Sequence, residues 1–289
     1  MNPKIIVKNI SVVYSSPEVT SKIKQIIDSE EYSNSELTTL ILCDPALTVQ
    51  ILRLANRPDY GFSRKIDTVS RAISIIGKEK LYTLVSAAAD FQTVSDISQE
   101  PARMESLWYR SIACGVIAHL LAIKMHRKEK ERFFIAGLLH AIGKFVLLTQ
   151  YPNESTEVLR LSGLGEDAVI AAEREIFGFT HAELGAELLK QWQLPESIWQ
   201  PVKFQFDPLN RDASKMDASI LHVAIRMACN IEPISLQNQN YAEMKPKYNI
   251  EAWKQLGLNT DIIYPTVAET SLQILDILIM IKPEVVTIY

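Results

Sequence analysis

The residues best suited to chemistry lie in the segment Gly137-Leu138-Leu139-His140-Ala141-Ile142-Gly143-Lys144. An imidazole and an amine four residues apart share one face of a helix, so His140 and Lys144 are expected on a common face. Together they could hold an anion, or the imidazole could ligate a metal. Gly143 costs stability inside a helix, which points to a close backbone contact there. A second block, Phe177-Gly178-Phe179-Thr180-His181-Ala182-Glu183-Leu184-Gly185-Ala186, carries His181 just after a capping threonine. A third is Trp192-Gln193-Leu194-Pro195. His119 and His126 are seven apart, too far for one metal ion. The chain has no Gly-x-Ser-x-Gly elbow, no dinucleotide fingerprint and no phosphate loop. Cys43, Cys114 and Cys229 are scattered and form no Cys-x-x-Cys pair, which suits free thiols in a reducing compartment.

The elements that must position these groups are helices. Ser16-Pro17 and Asp44-Pro45 each read as an N-cap followed by Pro at the first helical position. The resulting helices are expected to run to about Asp28 and to Asn56, with a short one over Ser35 to Cys43 between them. Asn56 to Lys65 is a loop, Asp67 caps a helix through Ile76, Gly77 ends it, and Lys78 to about Phe91 follows. The polar stretch Val94 to Pro101 reads as a linker. Long helices are expected over Pro101 to about Met125 and Glu129 to Gln150. Shorter ones follow over Asp167–Phe177, Thr180–Trp192, Leu194 to about Phe206, Ser214–Asn230 and Thr266–Ile281. Strand alternation is confined to a few residues near Ile5–Val7 and Val285–Ile288. The class is all-α. The apolar segment Ile274–Ile281 reads as core or as a dimer face.

Across its 289 residues, Lys plus Arg numbers 30 and Asp plus Glu 34, a formal net charge of −4. That balance shows no basic domain or stripe and argues against a nucleic-acid partner. The longest uncharged apolar run, Ser111–Ile123, is too short to span a bilayer, and no signal peptide opens the chain. A cytoplasmic protein without a membrane partner is the expectation.

Asp44-Pro45-Ala46-Leu47-Thr48, Leu52-Arg53-Leu54-Ala55-Asn56, Tyr60-Gly61, Ala72-Ile73 and Ile76-Gly77 resemble the N-terminal half of an HDOD domain. HDOD domains are bacterial signalling relatives of the HD metal-dependent phosphohydrolases. The Gly137–Lys144 segment is similar to that family's Gly-Leu-Leu-His-Asp-Ile-Gly-Lys. His181-Ala182-Glu183 with Gly185-Ala186, and Trp192 with Leu194-Pro195, resemble its next segment. The resemblance runs in order from about Pro17 to Met227. It implies a multi-helical, two-lobed fold: an N-terminal lobe over 1–97, an HD-like lobe over 98–232, and C-terminal helices over 233–289 packed on the HD-like lobe.

The resemblance also implies where metal ligands would stand, and this chain departs there. The first His belongs in Trp-x-His-Ser, but here the segment is Trp108-Tyr109-Arg110-Ser111. The His-Asp pair is His140-Ala141. The distal acidic position falls near Ile225. The family's His-His ahead of a Pro appears as Gln205-Phe206 before Asp207-Pro208, and the Asp often found before the matched His181 is Thr180. Hard cations want carboxylate oxygen, and a permanently charged Arg110 repels a cation. No metal and no cofactor are therefore expected, and the usual hydrolytic mechanism loses its activated water.

Three functions remain open. The favoured one is a non-catalytic regulator of bacterial signal transduction that acts by protein contacts. Its expected partners belong to two-component or cyclic-dinucleotide systems, and a homodimer is possible. The second is a phosphohydrolase with a rearranged site using His140, His181 and His222. The third is an anion or nucleotide sensor in which Arg110, His140 and Lys144, beside His181, form a cationic pocket. Against the pocket stand blander readings. His140 would be a core histidine bonded to a backbone carbonyl, Lys144 a solvated helix-surface lysine, and Arg110 the partner of Glu173, Glu175 or Glu183 in a salt bridge.

Overall fold

A buried aspartate shows how the N-terminal lobe is pinned. Asp44 caps the helix that follows it, its Oδ1 accepting from the Leu47 amide at 2.8 Å. Its other oxygen accepts from the Ser16 amide at 2.8 Å and from the Ser15 hydroxyl. One carboxylate thus fixes the start of two helices. Burial pushes its pKa up to about 6 against the pull of these donors.

The computed structural model describes residues 1–10, 15–29, 33–92, 101–161, 165–229, 231 and 249–281. Every regular element among them is helical, so the fold is all-α. After a short turn α1 (Pro3–Ile6), the N-terminal lobe comprises α2 (Pro17–Ser29), α3 (Asn34–Ile41), α4 (Pro45–Ala55), α5 (Val69–Ile76) and α6 (Lys78–Gln92). The HD-like lobe follows with α7 (Pro101–Lys124), α8 (Lys130–Leu138), α9 (Ile142–Gln150), α10 (Pro152–Arg160), α11 (Glu166–Ile176), α12 (His181–Gln191), α13 (Glu196–Lys203) and α14 (Lys215–Ala228). Two further helices, α15 (Ile250–Leu256) and α16 (Ile263–Ile281), close the described chain. α15 packs on α14, while α16 lies on α7 and also reaches α14 and α2. The opening residues lie against α12, where Gln191 donates to the Val7 carbonyl at 2.8 Å.

The two lobes are latched by polar bonds. Trp108 of α7 donates its indole N–H to the Cys43 carbonyl at 2.7 Å. Glu131 of α8 accepts from the Val69 and Ser70 amides and from the Ser70 hydroxyl, so a side chain of one lobe caps a helix of the other. The expected cap, Asp67, instead accepts from the Ser197 hydroxyl at 3.1 Å, and Thr68 holds the N-cap place without a side-chain bond.

Several expectations change. Glu129 to Gln150 is not one helix: it breaks over Leu139–Ala141 into α8 and α9. The cause is local. The His140 ring donates to the Gly137 carbonyl at 2.7 Å, taking an acceptor that a continuing helix would use. His140 and Lys144 therefore do not share one helix face. Ile5 and Ile6 form a helical turn rather than a strand, and α10 and α15 went unread. The linker over 94–100 and the Val285–Ile288 stretch lie outside the described residues. The bilayer argument from uncharged runs also changes. Met104–Lys124, Lys130–Gln150 and Thr260–Ile281 are long and apolar enough to cross a membrane by length and composition. The first two windows are each 72% buried inside the protein, the third only 28%.

Candidate functional site

The close approach inferred at Gly143 is the keystone of the site. A Cβ there would stand 2.0 Å from the His181 carbonyl oxygen and 2.9 Å from the Gly185 amide. Only glycine lets α9 and α12 touch backbone to backbone, and that contact brings His181 beside His140. α8 is seated on α7 in the same way: a Cβ at Gly137 would lie 2.6 Å from the Cys114 carbonyl and 2.7 Å from Gly115 Cα. α12 begins where the sequence places it, with Thr180 and Glu183 forming a reciprocal capping box.

His140 is buried and engaged. Its Nδ1–H donates to Gly137, and its own carbonyl accepts from Gln205 Nε2 at 3.1 Å. Burial lowers its imidazole pKa to about 3, against the Gly137 bond and helped by Lys144, so the ring is neutral. His181 is fully buried. It donates Nδ1–H to Glu173 at 2.8 Å and its backbone N–H to the same carboxylate at 2.9 Å. Its Nε2 has no hydrogen-bond partner and lies near the Phe206 ring, whose centroid is 5.2 Å from its own.

Lys144 is not a solvated surface lysine. Its ammonium pairs with Glu166 at 3.2 Å, with side-chain exposures of 14% and 7%. Burial pushes the Glu166 pKa up, but Lys144, His181, Arg110 and His140 outweigh it and hold the carboxyl well below the usual range. Of the four residues singled out in the sequence, Lys144 contacts this carboxylate directly, and the other three act on it only electrostatically. Glu173 is likewise held low, burial being outweighed by His181 and Lys144. The salt bridge expected of Arg110 to Glu173, Glu175 or Glu183 is not formed among the described residues, and the buried bridge present is Lys144 to Glu166. Among the described residues Arg110 has no ion pair of its own and faces Glu166 only at longer range. Of its expected partners, Glu173 is taken by His181, and Glu183 is taken by the Thr180 cap and by Arg174 at 3.8 Å.

His222 cannot join a ligand set without breaking bonds. Its Nδ1–H donates to the Gln205 carbonyl at 2.8 Å, and its Nε2 accepts from the Asn249 amide at 3.0 Å. Burial lowers its pKa as well. Where the fold family would place carboxylates or a second imidazole, Ala141, Gln205 and Ile225 are buried. Among the described residues no three His, Cys, Asp or Glu side chains converge on a point that could hold a metal. The Nε2 lone pair of His181 has no partner, but a single imidazole beside His140, with no carboxylate free to join it, does not make a three-ligand set. The residues present do not fit the metal that HD relatives bind.

Sequence reasoning missed Glu166 as the centre of the cluster. The signal existed: Glu166, Val169, Glu173 and Ile176 fall on one stripe of α11, and two acids on an otherwise apolar stripe ask for buried partners. It also missed a buried pair between α8 and α14, Arg132 with Asp217 at 2.7 Å. Beside the site, Leu107, Leu147, Val158, Val169 and Phe177 line a narrow cleft of about 30 Å³, with Lys144 and Glu173 at its wall. That is room for a water or two.

The model of the HDOD domain matches residues 13–208. A curated protein of Treponema pallidum, described as uncharacterized, is 24% identical over 192 residues, covering 65% of this chain. The chain spans only 37% of that relative's length. Among solved structures, the response regulator MmoQ of Methylococcus capsulatus is similar, with a TM-score of 0.68 and 26% identity over 88% of this chain and 96% of its own. A virulence factor of Campylobacter jejuni shares the fold, with a TM-score of 0.62 and 20% identity over 78% of this chain and 83% of its own. The all-helical architecture and the family match over most of the chain agree, and the protein belongs to the HDOD domain family.

Proposed function

We propose that this HDOD protein is a regulator in bacterial signal transduction that works by holding other proteins and not by turning over a substrate. One observation carries the reading. The ground where an HD enzyme would coordinate metal is occupied by internal bonds: Lys144 to Glu166, His181 to Glu173, and Gln205 to the His140 carbonyl. The Nδ1 atoms of His140 and His181, the Lys144 ammonium and the Glu166 and Glu173 carboxylates are all engaged in internal bonds, which leaves only the Nε2 atoms of the two imidazoles. A site built this way stabilises a scaffold and generates no hydroxide nucleophile.

The anion-sensor reading draws less support. The positive charges of Arg110 and Lys144 are met by Glu166, and the adjoining cleft is apolar and small. The likeness to a response regulator supports the signalling context, and the proposed partners are proteins of two-component or cyclic-dinucleotide systems. The test is turnover. Purified protein incubated with bis(p-nitrophenyl) phosphate and cyclic dinucleotides, with Mn²⁺, Mg²⁺, Fe²⁺ or Ni²⁺ added, is expected to release no product above the rate of a His140→Ala variant. Metal-dependent release that this variant loses would overturn the proposal.

A further inference from the structure

The helix α16 carries two apolar seams, and the fold uses only one. Val267, Thr270, Ile274, Ile277 and Ile281 repeat at spacings of three and four, and all are buried against the rest of the protein. Pro265, Ala268, Leu272, Leu275 and Ile279 repeat at the same spacing on the outer side. Leu272 is 64% exposed and Ile279 is 42% exposed. Alternating three- and four-residue spacing is what one helix needs to seat another along its length. A helix with a single partner needs only the first seam.

The edge of the outer seam narrows the choice of occupant. Glu269 and Asp276 are exposed, seven residues apart, and flank the same side of the seam. The opposite edge is Ser271 and Leu278, and no Lys or Arg occurs anywhere in 263–281. Flanking charges of this kind set partner and orientation in helix pairs. A second copy gains nothing from them. In antiparallel pairing acid would face acid, and in parallel pairing acid would face Ser271 and Leu278. An anionic lipid surface repels the same row, since interfacial helices use Lys and Arg there. A helix with basic flanks satisfies both the seam and its edge.

We propose that the outer face of α16 is a docking site for an amphipathic helix of a partner protein that carries Lys or Arg beside its apolar seam. This deepens the scaffold reading above and rests on it. The seam from Pro265 to Ile279 is about 21 Å long at 1.5 Å per residue. One helix face of that length falls short of the roughly 800 Å² per partner of a standard interface, so the complex is transient.

The probe is a fluorescent synthetic peptide of about three heptads with Leu at the seam positions and Lys at both flanks, compared with its Glu-flanked twin. Anisotropy titrations use the full chain. The Lys peptide is expected to bind about tenfold more tightly than the Glu peptide, and high salt should narrow the gap. Leu272→Asp should weaken the Lys peptide about tenfold with the far-UV dichroism and melting curve unchanged. The double change Glu269→Lys with Asp276→Lys should reverse the preference. It lies on an exposed edge, so it carries the test even if Leu272→Asp misfolds.

Equal binding of the two peptides overturns the proposal. So does a wild-type dimer that Leu272→Asp makes monomeric, which would assign the face to a second copy. Sedimentation with phosphatidylglycerol vesicles that Leu272→Asp abolishes would assign it to a membrane. None of these results bears on hydrolysis, so the failure of this inference and the failure of the scaffold reading are separable.

Discussion

Gly143→Ala adds one methyl group where two backbones meet. The new Cβ would stand 2.0 Å from the His181 carbonyl oxygen, against the 3.4–4 Å of ordinary contact, and 2.9 Å from the Gly185 amide. Neither neighbour is a flexible side-chain end, so α9 and α12 must part by more than an ångström. Two effects oppose each other. Alanine gains at most about 1 kcal/mol over glycine here, since Gly143 sits in the first turn of α9 and not in its interior. Overpacking a tight contact costs about 1–3 kcal/mol, and more where backbone must move. The steric cost wins because backbone must move, leaving a net loss of up to about 2 kcal/mol, a large share of the stability of an ordinary domain. Urea denaturation followed by dichroism reads it as a lower midpoint at unchanged slope. Gly115→Ala is the graded comparison, since its Cβ meets the Phe134 carbonyl at 3.0 Å and a movable ring at 3.2 Å. The expected order of loss is Gly143 above Gly115. Wild-type or higher stability for Gly143→Ala would refute the close-approach argument.

Further predictions follow from the same cluster. Lys144→Met leaves Glu166 buried without its nearest cation and should cost about 3–5 kcal/mol, while adding Glu166→Leu should restore most of it; thermal melts of the single and double variants decide this. Burial holds the His140 pKa near 3, below its unfolded value of 6.5, so the unfolded chain binds the extra proton. His140 therefore contributes stability that is complete above about pH 6.5 and is lost as pH falls toward 3, and His140→Gln should flatten that part of the stability–pH curve. Glu131→Ala removes the acceptor that caps α5 from across the lobes and should cost about 1–2 kcal/mol in chemical denaturation.

The elements legible in sequence were those with their own punctuation. Asp44-Pro45 and the Thr180–Glu183 box announce helix starts because one side chain satisfies orphan amides within three residues. Gly143 was legible because a glycine in an apolar helix needs a reason. The break at His140 was hidden. Apolar periodicity runs on from Phe133 through Val146, while at the break the Gly137 carbonyl accepts from the ring and the backbone N–H of His140. The cap on α5 was hidden because its carboxylate, Glu131, is more than sixty residues away. Neither reading of Lys144, an anion-binding amine or a solvated one, includes its pair with Glu166, which lies across a turn and another helix where spacing carries no signal. Long-range pairing is set by packing, and one sequence shows only the local half of it.

Internal ion pairs and apolar substitutions occupy the ground of a metal site, and metal content after equilibrium dialysis against Mn²⁺, read by mass spectrometry, puts this to the test. Wild type and His140→Ala should hold the same trace level. One equivalent of Mn²⁺ per chain, lost in His140→Ala, would refute it.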